Sequence, residues 1–108
     1  RLQGNVRFGG GHTVNRTATA VSYTALVSDF YIGVTSTAAA RTITLPAAAT
    51  VLTGKMFVIK DESGAAATNN ITIDGNASET IDGATTKLIN TNYGSVTLVC
   101  DGSNWFIV

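Results

Sequence analysis

The chain has 108 residues, a formal net charge of +0 and 13% charged residues, about half the ~25% usual in a soluble domain. It therefore lacks the basic surface that binding to nucleic acid or anionic membrane requires; no apolar run approaches the roughly 20 residues of a membrane span, so no membrane insertion is expected, and the single Cys100 leaves no intrachain disulfide. Threonine is about a sixth of the chain and hydrophobic residues are 44%, a composition that favours strands and leaves flat, weakly charged faces suited to subunit contacts.

The chain opens on Arg1-Leu2-Gln3-Gly4, neither a methionine nor a signal peptide, and reads as a piece of a longer one. Residues 4–11 alternate weakly around Val6 and Phe8 before a triple glycine, which suggests the last rung of an upstream fibre or a short edge strand with a flexible joint. Residues 1–16 are thus expected to be the end of a fibre shaft or a linker, and residues 17–108 a C-terminal β-sandwich head. Residues 17–23 form an extended run, and residues 30–34 a compact apolar strand. In residues 41–45 polar and apolar side chains alternate, placing Ile43 and Leu45 on one face, and Pro46 ends the strand because it cannot donate a ladder hydrogen bond. Residues 47–52 allow only a short helix before Gly54. Residues 55–61 are the strongest strand, with the continuous apolar run expected of one covered on both faces. Residues 70–75 and 79–83 share a Thr-Ile-Asp-Gly ending and are expected to pair as a hairpin. Residues 95–100, the turn Asp101-Gly102-Ser103-Asn104 and residues 105–108 read as strand, tight turn and strand, with Val96, Leu98 and Cys100 on one face. Strands at about ten-residue spacing with polar turns predict an all-β fold, a small antiparallel β-sandwich or jelly-roll-like domain.

The acids Asp29, Asp61, Glu62, Asp74, Glu79, Asp82 and Asp101 mostly stand beside Gly or Ser at strand ends, where a carboxylate accepts backbone N–H bonds and fixes a turn. Nothing in their spacing places two of them across a cleft as a glycosidase requires, so no catalytic residue, no metal site, no cofactor and no enzymatic activity are expected. His12 has no companion ligands for zinc in one chain. Tyr93 and Trp105 lie at strand edges beside Asn92 and Asn104. That placement suits either a platform on which a sugar ring stacks or the lid of a core. Phe57, Ile59, Ile73, Leu98 and Phe106 are the expected core or interface residues.

From about Tyr23 to Val108 the order of elements resembles a C-terminal domain of bacteriophage tail fibre and tailspike-like proteins. The resemblance rests on Tyr23, Asp29-Phe30-Tyr31-Ile32, Ile43-Thr44-Leu45-Pro46, Gly54, the run from Phe57-Val58-Ile59-Lys60-Asp61 through Glu62-Ser63-Gly64-Ala65, Ile71-Thr72-Ile73, Ile81-Asp82-Gly83, Tyr93-Gly94-Ser95-Val96 and Asp101-Gly102-Ser103-Asn104-Trp105. It implies an intimate homotrimer in the virion, assembled in the host cytoplasm and placed at the distal end of a fibre. There it would lock the trimer or bind a host cell-surface glycan or protein. Two alternatives remain open: a carbohydrate-binding module of a secreted enzyme, and a capsid decoration protein.

Overall fold

In a strand, successive side chains point to opposite faces, and that parity sorts this chain into two layers around one apolar interior. The computed structural model describes residues 11–108; residues 1–10, most of the expected shaft or linker, lie outside the described residues. In chain order the strands are β1 (Arg16–Thr19), β2 (Tyr23–Thr24), β3 (Tyr31–Val34), β4 (Arg41–Thr44), β5 (Met56–Asp61), β6 (Ile71–Asp74), β7 (Thr86–Ile89), β8 (Ser95–Cys100) and β9 (Trp105–Ile107). One sheet has the order β1-β3-β5-β8-β9 and the other β2-β4-β6-β7.

The fold is all-β, and its sheets are mixed rather than purely antiparallel. From β1 to β6 the chain passes alternately from one sheet to the other, so that β1, β3 and β5 pair in parallel and so do β2, β4 and β6. Parallel neighbours need a long crossover, and here each crossover is itself a strand of the opposite sheet, giving a flattened coil of three turns. From β6 on, the pairings β6–β7, β5–β8 and β8–β9 are antiparallel and close the structure. The run at residues 17–23 accordingly divides into β1 and β2, because the chain must bend to change sheets.

The inward positions form the core: Ile32, Val34, Phe57, Ile59, Leu98 and Trp105 from the larger sheet, and Ile43, Leu45, Ile71, Ile73 and Ile89 from the smaller or its ends. Each large side chain removed from water contributes about 1.5–3 kcal/mol. β5 is not covered equally on both faces; Phe57, Ile59 and Asp61 are buried while Met56, Val58 and Lys60 are half-buried. The short helical segment is a single 3-10 turn, Ala48–Thr50.

The expected hairpin between residues 70–75 and 79–83 does not form. β6 pairs instead with β7, and residues 80–82 turn toward β9, where Trp105 N–H donates to the Thr80 carbonyl at 2.9 Å and Asp82 N–H to the Trp105 carbonyl at 3.0 Å. The cause is Ile81, only 2% exposed, whose side chain joins the core. Asp74-Gly75 ends β6, and Asp82-Gly83 makes a tight turn that bridges Ile81 to Ala84 within the connection from β6 to β7.

Candidate functional site

At the end of β5 the inward parity of Phe57 and Ile59 falls next on Asp61, which is fully buried. A carboxylate there survives only if its lone pairs are filled. One oxygen accepts the Ser63 N–H (2.9 Å), the Ser63 hydroxyl (3.1 Å) and the Gly64 N–H (2.9 Å). The other accepts the Ala66 N–H (3.0 Å) and the Tyr93 N–H (3.1 Å). Burial alone would push the carboxyl up, but the N–H bonds from Gly64, Tyr93, Ala66 and Ser63 outweigh it and hold the pKa at about 2. One anion therefore fastens the loop after β5 to the loop before β8.

The consequence is the presentation of Tyr93. Its φ of 60° lies in the left-handed region, uncommon for a bulky residue and costing about 1 kcal/mol or more. The residue is 59% exposed, yet its ring has a floor: a Cβ on Gly64 would stand 2.5 Å from the ring's Cζ. Gly64 also has φ +91°, so glycine is required twice over. Lys60 Nζ donates to the Tyr93 carbonyl oxygen and lies 5.9 Å from the ring centroid, within cation–π range. Asn92, exposed and next in sequence to Tyr93, accepts the Ala67 N–H at 3.0 Å through Oδ1, which fixes its amide against the loop after β5. The loop thus offers an exposed tyrosine with an ammonium near its ring and an exposed amide at the preceding residue.

The four expected sugar-contacting residues do not share one surface. Tyr93 and Asn92 precede β8, whereas Asn104 and Trp105 follow it, at the opposite end of the strand. Trp105 is fully buried, its ring centroid 5.5 Å from that of Phe57, so it is a core lid and has no face open for stacking. Asn104 is engaged structurally, Oδ1 accepting the Thr80 N–H at 2.9 Å. Phe57, Ile59, Ile73 and Leu98 are fully buried, but Phe106 is 44% exposed; it stands opposite in parity to Trp105, on the outer face, and does not belong to the core. Reading by residue type gave Asp61 its turn-fixing role, which the Ser63 and Gly64 N–H bonds bear out, but not its burial or its reach to Tyr93, and it did not single out Gly64 or Lys60. The available signal was the parity Phe57, Ile59, Asp61, which puts a carboxylate where an apolar side chain belongs.

Among protein families, the model of the bacteriophage T4 gp9/10-like protein, N-terminal, matches residues 2–106. The chain belongs to this family. It is therefore a structural component of the phage tail. The resemblance to a tail protein holds at that level, while the matching domain is an N-terminal one and not the fibre C-terminal domain. No curated protein matches the chain.

Other acids of this gp9/10-like domain are likewise engaged in structure. Asp29, nearly buried, accepts the Thr17 and Tyr23 hydroxyls, both at 2.6 Å, and the Leu26 N–H at 2.8 Å. Burial opposes its charge, and these bonds prevail and hold it below the usual range. The same bond pushes Tyr23 up to about 12. Glu62 pairs with Arg16 and accepts the Tyr31 hydroxyl at 2.7 Å, which lowers its carboxyl. Glu79 receives the Ala48 N–H on both oxygens at 3.0 Å, anchoring the 3-10 turn.

Proposed function

We propose that this domain is a non-enzymatic, homotrimeric tail-fibre component that contacts the host-cell surface through its Tyr93 loop, with a glycan as the ligand. The observation that carries the reading is the exposed Tyr93 ring, held in a left-handed backbone by a buried carboxylate and floored by Gly64. Backbone strain of this kind persists where surrounding structure over-determines it, and it concentrates at binding sites. A pyranose ring stacks on such a face while its hydroxyls meet the Asn92 amide and the Lys60 ammonium. Three copies on one fibre would convert weak contacts into avidity.

The trimer reading is supported by the outer face of the larger sheet. Met56 stands beside Val99, and Val99 beside Phe106, forming a cross-strand apolar row with Val58 and Val108 next to it. Phe106 and Val108 are 44% and 69% exposed. The non-enzymatic reading is supported by the two buried acids, Asp29 and Asp61, whose oxygens accept backbone and hydroxyl donors. Light scattering over a dilution series and a glycan array, each run on the parent and on Tyr93→Ala, test the reading. The expected results are a trimer at every dilution for both proteins and a glycan signal lost in the variant. A monomer throughout overturns the assembly, and undiminished glycan binding by Tyr93→Ala overturns the site.

A further inference from the structure

At the opposite end of the larger sheet, the loop between β2 and β3 and the loop leading into β5 enclose an open groove of about 450 Å³, lined by Val27, Thr50, Val51, Leu52, Thr53 and Lys55 among others. Its volume is that of a ligand site. Its rim mixes the exposed Thr50 and Thr53 with two large apolar side chains, Val27 and Leu52, which are 53% and 61% exposed, an unfavourable arrangement for side chains left in water. The walls are firm. Gly54 N–H donates to the Cys100 carbonyl at 2.7 Å and Lys55 N–H to the Leu52 carbonyl at 2.9 Å. Asn15 Nδ2 donates to the Ser28 carbonyl at 2.8 Å, tying the segment before β1 to the same end.

Lys55 gives the groove its chemistry. Its Nζ donates to the Asp29 carbonyl oxygen and lies 4.7 Å from the Phe57 ring centroid, which leaves donors of the ammonium uncommitted to that bond. Among the described residues the ion pair is Arg16–Glu62, and no carboxylate lies within ion-pair distance of Lys55. Burial pulls its pKa down, with the charge of Asp29 only partly opposing. A half-buried cation that feels the charge of Asp29 but makes no direct ion pair, beside the side chains of Val27, Val51 and Leu52, is complementary to an anion carried on an apolar group. The walls contain no aromatic face, unlike the Tyr93 loop, so a sugar ring fits them poorly, whereas branched aliphatic side chains match Val27, Val51 and Leu52.

We propose that this groove docks a peptide segment of a neighbouring tail subunit, an aliphatic side chain lying between Val27 and Leu52 and an adjacent carboxylate pairing with Lys55. The site is distinct from the Tyr93 loop and does not depend on glycan binding there.

The test is an amide NMR titration of the full chain with two probes, acetyl-Leu-Glu-Leu-amide and acetyl-Leu-Gln-Leu-amide, with glucuronate as a third. The Glu peptide is expected to shift the amides of Val27, Thr53 and Gly54 saturably at millimolar concentration. The Gln peptide should bind about tenfold more weakly, the equivalent of roughly 1.4 kcal/mol. Lys55→Met should lose the same factor and Lys55→Arg should keep most of the affinity. Leu52→Ser, at an exposed rim position, should weaken both peptides while leaving the remaining spectrum unchanged, so the proposal stays testable if Lys55→Met unfolds. Equal binding of the two peptides, full affinity in Leu52→Ser, or no shifts at millimolar Glu peptide overturns the proposal. Equal shifts with glucuronate would assign the groove to acidic sugars instead, and peptide-free shifts that grow with protein concentration would assign it to a second copy of this chain; either result overturns it.

Discussion

Asp61→Asn removes one charge and almost no volume, and the bonding pattern gives the cost. Whichever way the amide turns, its NH₂ faces backbone donors. Turned toward Ala66 and Tyr93, it would strand the N–H of Ala66, a fully buried residue. The side chain will therefore keep its oxygen there and set its NH₂ against Ser63 and Gly64, opening a turn that water can reach. Of the five bonds, the two from Ala66 and Tyr93 become bonds to a neutral acceptor, the N–H groups of Ser63 and Gly64 exchange theirs for water, and the Ser63 hydroxyl can turn to accept from the new NH₂. With charged bonds contributing about 1.5–3 kcal/mol and neutral ones about 0.5–1.5, the loss is about 2–4 kcal/mol. That is a large part of the roughly 5–15 kcal/mol by which a domain is stable.

Urea unfolding at fixed protein concentration measures it: the midpoint should fall with the slope unchanged. pH supplies a second, independent check. The folded pKa of about 2 lies below the ordinary 3.8, so the stabilisation is present above about pH 4 and is lost as pH falls toward about 2, a loss of roughly 2 kcal/mol. Asp29 and Glu62, also held low, lose stability in the same direction, in parent and variant alike. The gap between parent and Asp61→Asn should consequently shrink on acidification. A variant within about 0.5 kcal/mol of the parent at neutral pH, the range of ordinary surface changes, or a gap that does not vary with pH, would refute the reasoning.

Three further outcomes are expected. Gly64→Ala places a Cβ at φ +91° and against the Tyr93 ring; it should cost about 1–2 kcal/mol in thermal unfolding and reduce glycan binding, and an unchanged melt would contradict the floor assigned to Gly64. Trp105→Ala should cost about 3–5 kcal/mol of folding stability, whereas Phe106→Ala should leave folding nearly unchanged and raise the concentration at which the trimer dissociates; equal effects on folding would mean that the two faces of β9 are misassigned. Tyr23, pushed up from 10.0 to about 12 by its bond to Asp29, should ionise late, its stabilisation present below about pH 10 and lost as pH rises toward 12. Ultraviolet difference absorbance on the parent and Tyr23→Phe checks this: Tyr31, also raised by burial and its bond to Glu62, ionises late in both proteins, so the amplitude of the late step should fall in the variant, and an undiminished amplitude would contradict the assignment.

Much of the fold is legible because parity is legible. Alternation over residues 41–45 and 95–100 put Ile43 with Leu45 and Val96 with Leu98 and Cys100 on one face, and in each case that face is the buried one. Strand direction is not legible in the same way. Alternation is identical for parallel and antiparallel partners, and the turns of this coil differ in length, as the registers Arg16–Tyr31 and Tyr31–Val58 show, so no sequence repeat betrays it. At the candidate site, Tyr93 and Asn92 stood out by residue type. Asp61 did not, because Asp61-Glu62-Ser63-Gly64 has the composition of any solvated turn. Trp105 and Phe106 required the register Cys100–Trp105, which places the first with the buried Cys100 and sends the second outward.

Charge is scarce in this chain, and where it stands explains how open sheets remain separate while their faces stay apolar. An uncovered edge strand is a template for unwanted pairing, and each of the four edges is blunted differently. β9 is covered by residues 80–82. β7 carries the exposed Lys87, a charge that a pairing strand would have to desolvate. β1 carries Arg16, its guanidinium drawn onto Glu62 across β3. β2 is only two residues long, too short to seed a ladder. Two of the protected edges thus use a cation and two use geometry alone, which frees the outer face around Met56, Val99 and Phe106 from any need for charge. In a chain with 13% charged residues, that distribution blocks association through backbone edges and leaves side-chain faces as the route by which copies can meet, the kind of contact whose geometry side-chain packing can specify.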